Sequence, residues 1–105
     1  MRMWGVPAEY LCRKHLLGEH LEMHMFVGTI KKGISINGYI KKGLINPNKI
    51  TQRHEELATE MVKRGYSHYS PIEFDSSDLS TGTIAVKKNK KELIKRCHEC
   101  KKRMS

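Results

Sequence analysis

The stretch CRKHLLGEHLEMHMFVGTIKK, residues 12–32, decides the fold class. At about 100° per residue, Cys12, Leu16, Met23, Phe26, Val27, Ile30 and Ile34 fall on one face, a period that predicts a helix from roughly residue 8 to residue 32. Leu17, Leu21 and Met25 form a second apolar stripe, so this helix is expected to be central and covered on two sides. A second helix is announced downstream by Asn46 as N-cap and Pro47 at the first helical position. It carries Ile50, His54, Leu57, Ala58 and Met61 on one face and should stop at Gly65. A third opens with Asn89 and Glu92 in capping-box spacing and shows Leu93, Cys97, Cys100 and Met104 on one stripe. The segment SINGYIKKGLINPN between the first two helices reads as turn or loop, and strand signals are confined to Thr83–Val86. The expected class is all-α, with about three main helices and a long central one near the amino terminus.

Length and charge bound the rest. A chain of 105 residues encloses one modest core, so a single domain spanning residues 1–105 is expected. Twenty Lys and Arg stand against eleven Asp and Glu, and the excess is local: residues 83–105 hold nine basic and two acidic side chains. A basic face of this kind favours a polyanionic partner, the plain alternative being a solvated helix face. No run approaches the ~20 apolar residues of a membrane span, and the opening MRMWGVPAEY lacks the apolar core of a secretory signal. An intracellular protein is expected. Cys12, Cys97 and Cys100 are odd in number, a poor disulfide framework, so reduced thiols are expected.

Two patterns have chemical content. His15, Glu19 and Glu22 lie in one strip at the margin of the apolar face of the first helix, where a partly desolvated carboxylate can act as general acid or base. The segment His20-Leu-Glu22-Met-His24 resembles a zinc-protease motif only superficially, because its glutamate is displaced by one residue to the other side of the helix. Cys97-His98-Glu99-Cys100 supplies two zinc-ligand types that Cys12 or a histidine would have to complete. Both cysteines also fall on the third helix's apolar stripe, so the expectation is small core thiols and no metal.

Several segments in order then carry a resemblance. Met1-Arg2-Met3-Trp4, Lys14-His15-Leu16-Leu17-Gly18-Glu19-His20-Leu21-Glu22, Val27-Gly28 and Lys31-Lys32 resemble the start of the pyrimidine-dimer DNA glycosylases with AP-lyase activity, the endonuclease V-like repair enzymes of phages and bacteria. Glu60-Met61-Val62-Lys63-Arg64-Gly65-Tyr66 with Ser70-Pro71 is similar to that family's second long helix and its exit. Ile84-Ala85-Val86 with Leu93-Ile94-Lys95-Arg96-Cys97-His98-Glu99-Cys100 is similar to the C-terminal helix of short bacterial members.

The resemblance implies a compact helical enzyme that flips a nucleotide out of duplex DNA, cuts the glycosidic bond with an N-terminal amine and nicks the backbone by β-elimination, without a cofactor or metal. It assigns the nucleophile to the α-amine of Met1 and the catalytic carboxylate to Glu22, with Arg2 and His15 as active-site and DNA-contacting residues. Lys31, Lys32, Lys87, Lys88, Lys91 and Lys95 are expected to meet DNA phosphates. A free α-amine titrates near 7.7–8.0, so a useful fraction is the neutral nucleophile at cellular pH, unlike a lysine near 10.4. Two positions depart from the phage pattern, since Leu21 and Met25 replace arginines beside the glutamate. The excised pyrimidine is thus less defined than the reaction. The expected partner is double-stranded DNA and the expected state a monomer in the cytoplasm of a bacterium or a phage-infected host. The alternatives are a non-catalytic DNA-binding relative and a metal-dependent nuclease built on His15, Glu19 and Glu22. A chain terminus ordinarily adds little to a core, so extending or acetylating the amino terminus is expected to leave the helical fold intact.

Overall fold

A computed structural model describes every residue except 69 and 105. Its elements are helices α1 (Arg13–Lys31), α2 (Asn37–Lys41), α3 (Ile50–Lys63), α4 (Val86–Arg96) and α5 (His98–Arg103), with short 3₁₀ turns at Ala8–Tyr10 and Pro47–Lys49. Among the described residues there is no strand, and the chain is all-α as the periodicity predicts.

The seam between α1 and α3 is the main packing interface. Leu16, Met23 and Phe26 of α1 and Ile50 and Leu57 of α3 are fully buried. Each such side chain contributes about 1.5–3 kcal/mol by leaving water. Val6, Leu11, Ile45 and Leu93 close the same cluster from the flanking segments. The face predicted for α3 is the buried one, and Arg53 joins it. The helix ends before Gly65, whose φ of +84° suits a residue without a Cβ.

Six expectations need correction. First, α1 begins at Arg13, because Leu11 runs extended to bury its side chain and Arg64 Nη2 donates to the carbonyls of Ala8, Glu9 and Leu11 that a longer helix would have used. Second, the stripe of Leu21 and Met25 faces solvent, at 59% and 47% exposure, since α3 covers only the opposite face. Third, the presumed third helix is two: Cys97 is extended (φ −133°, ψ 107°) and its Sγ caps α5 by accepting the Cys100 N–H. Asn89 lies inside α4 and caps nothing. Fourth, the loop after α1 holds the short helix α2. Fifth, the first residues are core: Met3, Trp4 and Val6 are buried, and the Met3 N–H donates to the Leu44 carbonyl at 2.7 Å. Asn46 also departs from its expected role, since its Oδ1 accepts the N–H of Gly82 rather than capping α3. A Cβ on residue 82 would stand 2.3 Å from the Ile45 carbonyl oxygen, so only glycine fits there.

Candidate active site at the amino terminus

The strap of residues 1–6 runs against α1 and α4. Arg2 fixes it: Nη1 donates to Glu92 Oε2 at 2.7 Å, Nη2 donates to Asn89 Oδ1 at 2.6 Å, and the guanidinium lies 3.9 Å above the Trp4 ring. Asn89, itself buried, returns a bond from Nδ2 to the Trp4 carbonyl at 2.8 Å. Strap and α4 are thus joined by a closed polar circuit, which compensates the burial of Asn89. The circuit delivers the Met1 nitrogen to 3.8 Å from Glu22 Oε1, with both side chains largely covered yet still reachable, at 15% and 27% exposure. The cation and carboxylate attract at this distance but stand beyond hydrogen-bonding range, so either group is available to a third partner.

The strip of His15, Glu19 and Glu22 is divided by the fold. Glu19 is buried, and both its oxygens are taken by Arg53: Nε donates at 2.6 Å and Nη2 at 3.0 Å, a two-pronged pair. Burial alone would depress the Arg53 guanidinium; Glu19 and then Glu56 outweigh it and hold it above its ordinary range. With its carboxylate so occupied, Glu19 cannot serve a metal-dependent nuclease. His15 turns the other way, with Nδ1 3.2 Å from Cys12 Sγ and 3.5 Å from Cys100 Sγ and its ring edge-on to Trp4. Burial, then the charges of Arg96 and Lys14, lower its pKa. Burial pushes the Cys100 thiol up to about 12. At Cys97 burial acts in the same sense, but the N–H of Cys100 leads the hydrogen bonds that bring the net shift below the ordinary thiol range.

The predicted lysines fall in three places. Lys87, Lys91 and Lys95 are exposed and recur every fourth residue, lining one side of α4. Lys88 instead joins Arg2, Lys41 and Lys42 around a cleft of about 660 Å³ that the sequence reading missed, because Lys41 and Lys42 were assigned to a loop. Lys31 and Lys32 are exposed at the far end of α1, about 13 Å beyond Glu22 at 1.5 Å per residue. Met1 thus meets Glu22, Arg2 shares the cleft with Lys88, and His15 touches the strap through Trp4, while Lys31 and Lys32 stand apart at the far end of α1.

A histidine cluster was also missed. His20 and His24 of α1 meet His54 of α3 and His68, with the Nε2 atoms of His20 and His68 2.8 Å apart and ring centroids about 5 Å from one another. Burial first, then the neighbouring imidazoles, pushes His20 down to about 4. The signal was present as His20 and His24 one turn apart and His54 on the buried face of α3, but only the pairing of the two helices joins them.

A small helical protein with an amine–carboxylate pair beside a basic cleft is the class that fold and site define. Residues 1–74 match the family model of the pyrimidine dimer DNA glycosylases, and the chain belongs to that family. No curated protein and no solved structure matches the chain. The matched span holds Met1, Arg2, His15 and Glu22, whereas Asn89, Glu92 and all of α4 and α5 lie beyond it. Among the described residues no helix is long and apolar enough to cross a membrane.

Proposed function

We propose that this member of the family is a DNA glycosylase with AP-lyase activity, in which the Met1 α-amine is the nucleophile and Glu22 the catalytic carboxylate. The observation that carries the reading is the approach of these two groups, 21 positions apart in sequence, to 3.8 Å at an accessible edge of the fold. The neutral amine attacks C1′ of a flipped nucleotide; the C1′–N bond breaks and its electron pair leaves with the base, which gains a proton. Glu22 stabilises the positive charge developing on the sugar and takes the proton released by the amine. Opening of the sugar ring gives an imine, removal of a C2′ proton expels the 3′-phosphate, and water then frees the amine. Extruding the base costs a few kcal/mol, which phosphate contacts along Lys87, Lys91 and Lys95 and at the cleft of Lys41, Lys42 and Lys88 offset. No step requires a cofactor, and the partner is duplex DNA.

Borohydride trapping tests the reading. Duplexes carrying a pyrimidine dimer or an abasic site should yield a covalent protein–DNA adduct that peptide mass mapping places on Met1, and acetylation of the amine should abolish both adduct and nicking. An adduct on Lys14 or Lys31 would move the nucleophile elsewhere. Salt-sensitive binding with neither adduct nor strand cleavage on any pyrimidine lesion would make the protein a non-catalytic DNA-binding relative.

A further inference from the structure

Cys12, His15, Cys97 and Cys100 converge where α1 begins and α4 gives way to α5. Their ligand atoms all lie within 4.8 Å of one another. A tetrahedral zinc with Zn–S of about 2.3 Å and Zn–N of about 2.0–2.1 Å requires sulfur–sulfur edges of about 3.8 Å and sulfur–nitrogen edges of about 3.6 Å. The structure has Cys12 Sγ 3.8 Å from Cys97 Sγ, and His15 Nδ1 3.2 Å and 3.5 Å from the sulfurs of Cys12 and Cys100. Both pairs sit at helix starts with two residues between them, Cys12 to His15 and Cys97 to Cys100, the short spacing that lets one turn present two ligands to one ion.

The surroundings supply hydrogen-bond donors to the sulfurs. Each sulfur receives at least one backbone N–H: Cys12 from His15 at 3.5 Å, Cys97 from Cys100 at 3.5 Å, and Cys100 from Cys12 at 3.2 Å. Such second-layer donors hold metal-bound thiolates in place and spread their charge. Arg96 and Lys14 stand near enough to His15 to act on it electrostatically and would balance the negative excess of three thiolates. The three sulfurs are unlinked, and 3.8 Å is nearly twice a disulfide bond length of about 2.05 Å.

We infer that Cys12, His15, Cys97 and Cys100 form a structural zinc site that fastens the α4–α5 junction to the start of α1. Four protein ligands complete the tetrahedron and leave no place for a reactive water, which sets the site apart from metal catalysis. It replaces the expectation of plain core thiols, and it gives His15 a ligand's role in place of a DNA contact. Half of the ligand set lies within the family-matched span and half in the segment beyond it, so the ion would tie that segment to the body. The inference does not depend on the glycosylase reading, since its readout is metal content.

The test uses the full chain without an affinity tag, kept reduced. Elemental analysis of protein expressed in zinc-supplemented medium should find one zinc per chain. Cobalt titration of the apo protein should give the ligand-field bands of a tetrahedral site with thiolate charge transfer, saturating at one equivalent and displaced by one equivalent of Zn²⁺. The double variant Cys97→Ser/Cys100→Ser should lose that zinc and the charge-transfer band. Should it fail to fold, His15→Cys serves instead: it should keep the tetrahedral spectrum and gain thiolate intensity. Reduced wild-type protein that takes up neither zinc nor cobalt would overturn the inference. So would a full equivalent of zinc retained by folded Cys97→Ser/Cys100→Ser, which would locate the ion elsewhere, for instance on His20, His54 and His68.

Discussion

Two arginine–carboxylate pairs hold two seams of this molecule, and they are built differently. Between α1 and α3, Arg53 and Glu19 are buried, at 4% and 0% side-chain exposure, and every carboxylate oxygen is used. Between the amino-terminal strap and α4, Arg2 and Glu92 are half open, at 22% and 42%, and one arginine face is spent on Trp4. The closed pair is surrounded by the apolar core and enforces one way of docking two helices. The open pair holds a strap whose first nitrogen stays partly exposed. A single chemistry, guanidinium on carboxylate, thus fixes a core in one place and holds the terminal amine near Glu22 in the other.

Three experiments would break or sharpen that contrast. Glu22→Gln, at the open seam, should lower base excision by about 10²–10⁴-fold while DNA binding changes only a few-fold and the urea midpoint stays put. Unaltered excision would reduce the carboxylate to a surface group. At the closed seam the effect should fall on folding instead. Arg53→Ala strands a buried carboxylate and should cost about 3–5 kcal/mol in urea unfolding, whereas Arg2→Ala, at a half-exposed pair, should cost roughly 1 kcal/mol. Equal losses would erase the distinction between the seams. The smallest effect is in pH. His20 titrates at about 4 in the fold against 6.5 when free, because burial and His54, His24 and His68 oppose its charge more than Glu55 favours it. The unfolded chain therefore binds the extra proton between those values. Stability should be intact above pH 6.5 and fall toward pH 4. The lowered His24 acts in the same direction. Comparing urea midpoints of wild type and His20→Gln at about pH 7 and 4.5 checks this, and identical pH profiles would contradict it.

What was legible in the sequence follows the same division. The buried faces of α1 and α3 were readable because each helix presents one apolar stripe to the other, a property of local spacing. Glu22 and Met1 entered through resemblance, and spacing alone left Glu22 beside His15 and Glu19 as one undivided strip. Helical period misled at Leu21 and Met25, since an apolar stripe does not say whether anything covers it. It misled again at Cys97, whose place on the stripe concealed a capping role that breaks the helix. The partners of Arg2 and of Cys12 lie more than 80 residues away, and no local pattern records such pairings. The two-residue spacing of Cys12 to His15 and of Cys97 to Cys100 was nonetheless visible, and reading both pairs together would have found the cluster.

The circuit from Arg2 to Asn89 and Glu92 also has a consequence in time. Residues 1–6 are made well before their seat on α4, which does not exist until position 92 has been added. At about 5–20 residues per second, the amino terminus waits roughly 5–18 s for the helix that will hold it. Through that interval the strap lacks its polar hold on α4 and has only its contacts with the earlier segments, such as the Met3 N–H to the Leu44 carbonyl. A product lacking α4 and α5 would therefore carry its strap without the polar anchor of Asn89 and Glu92.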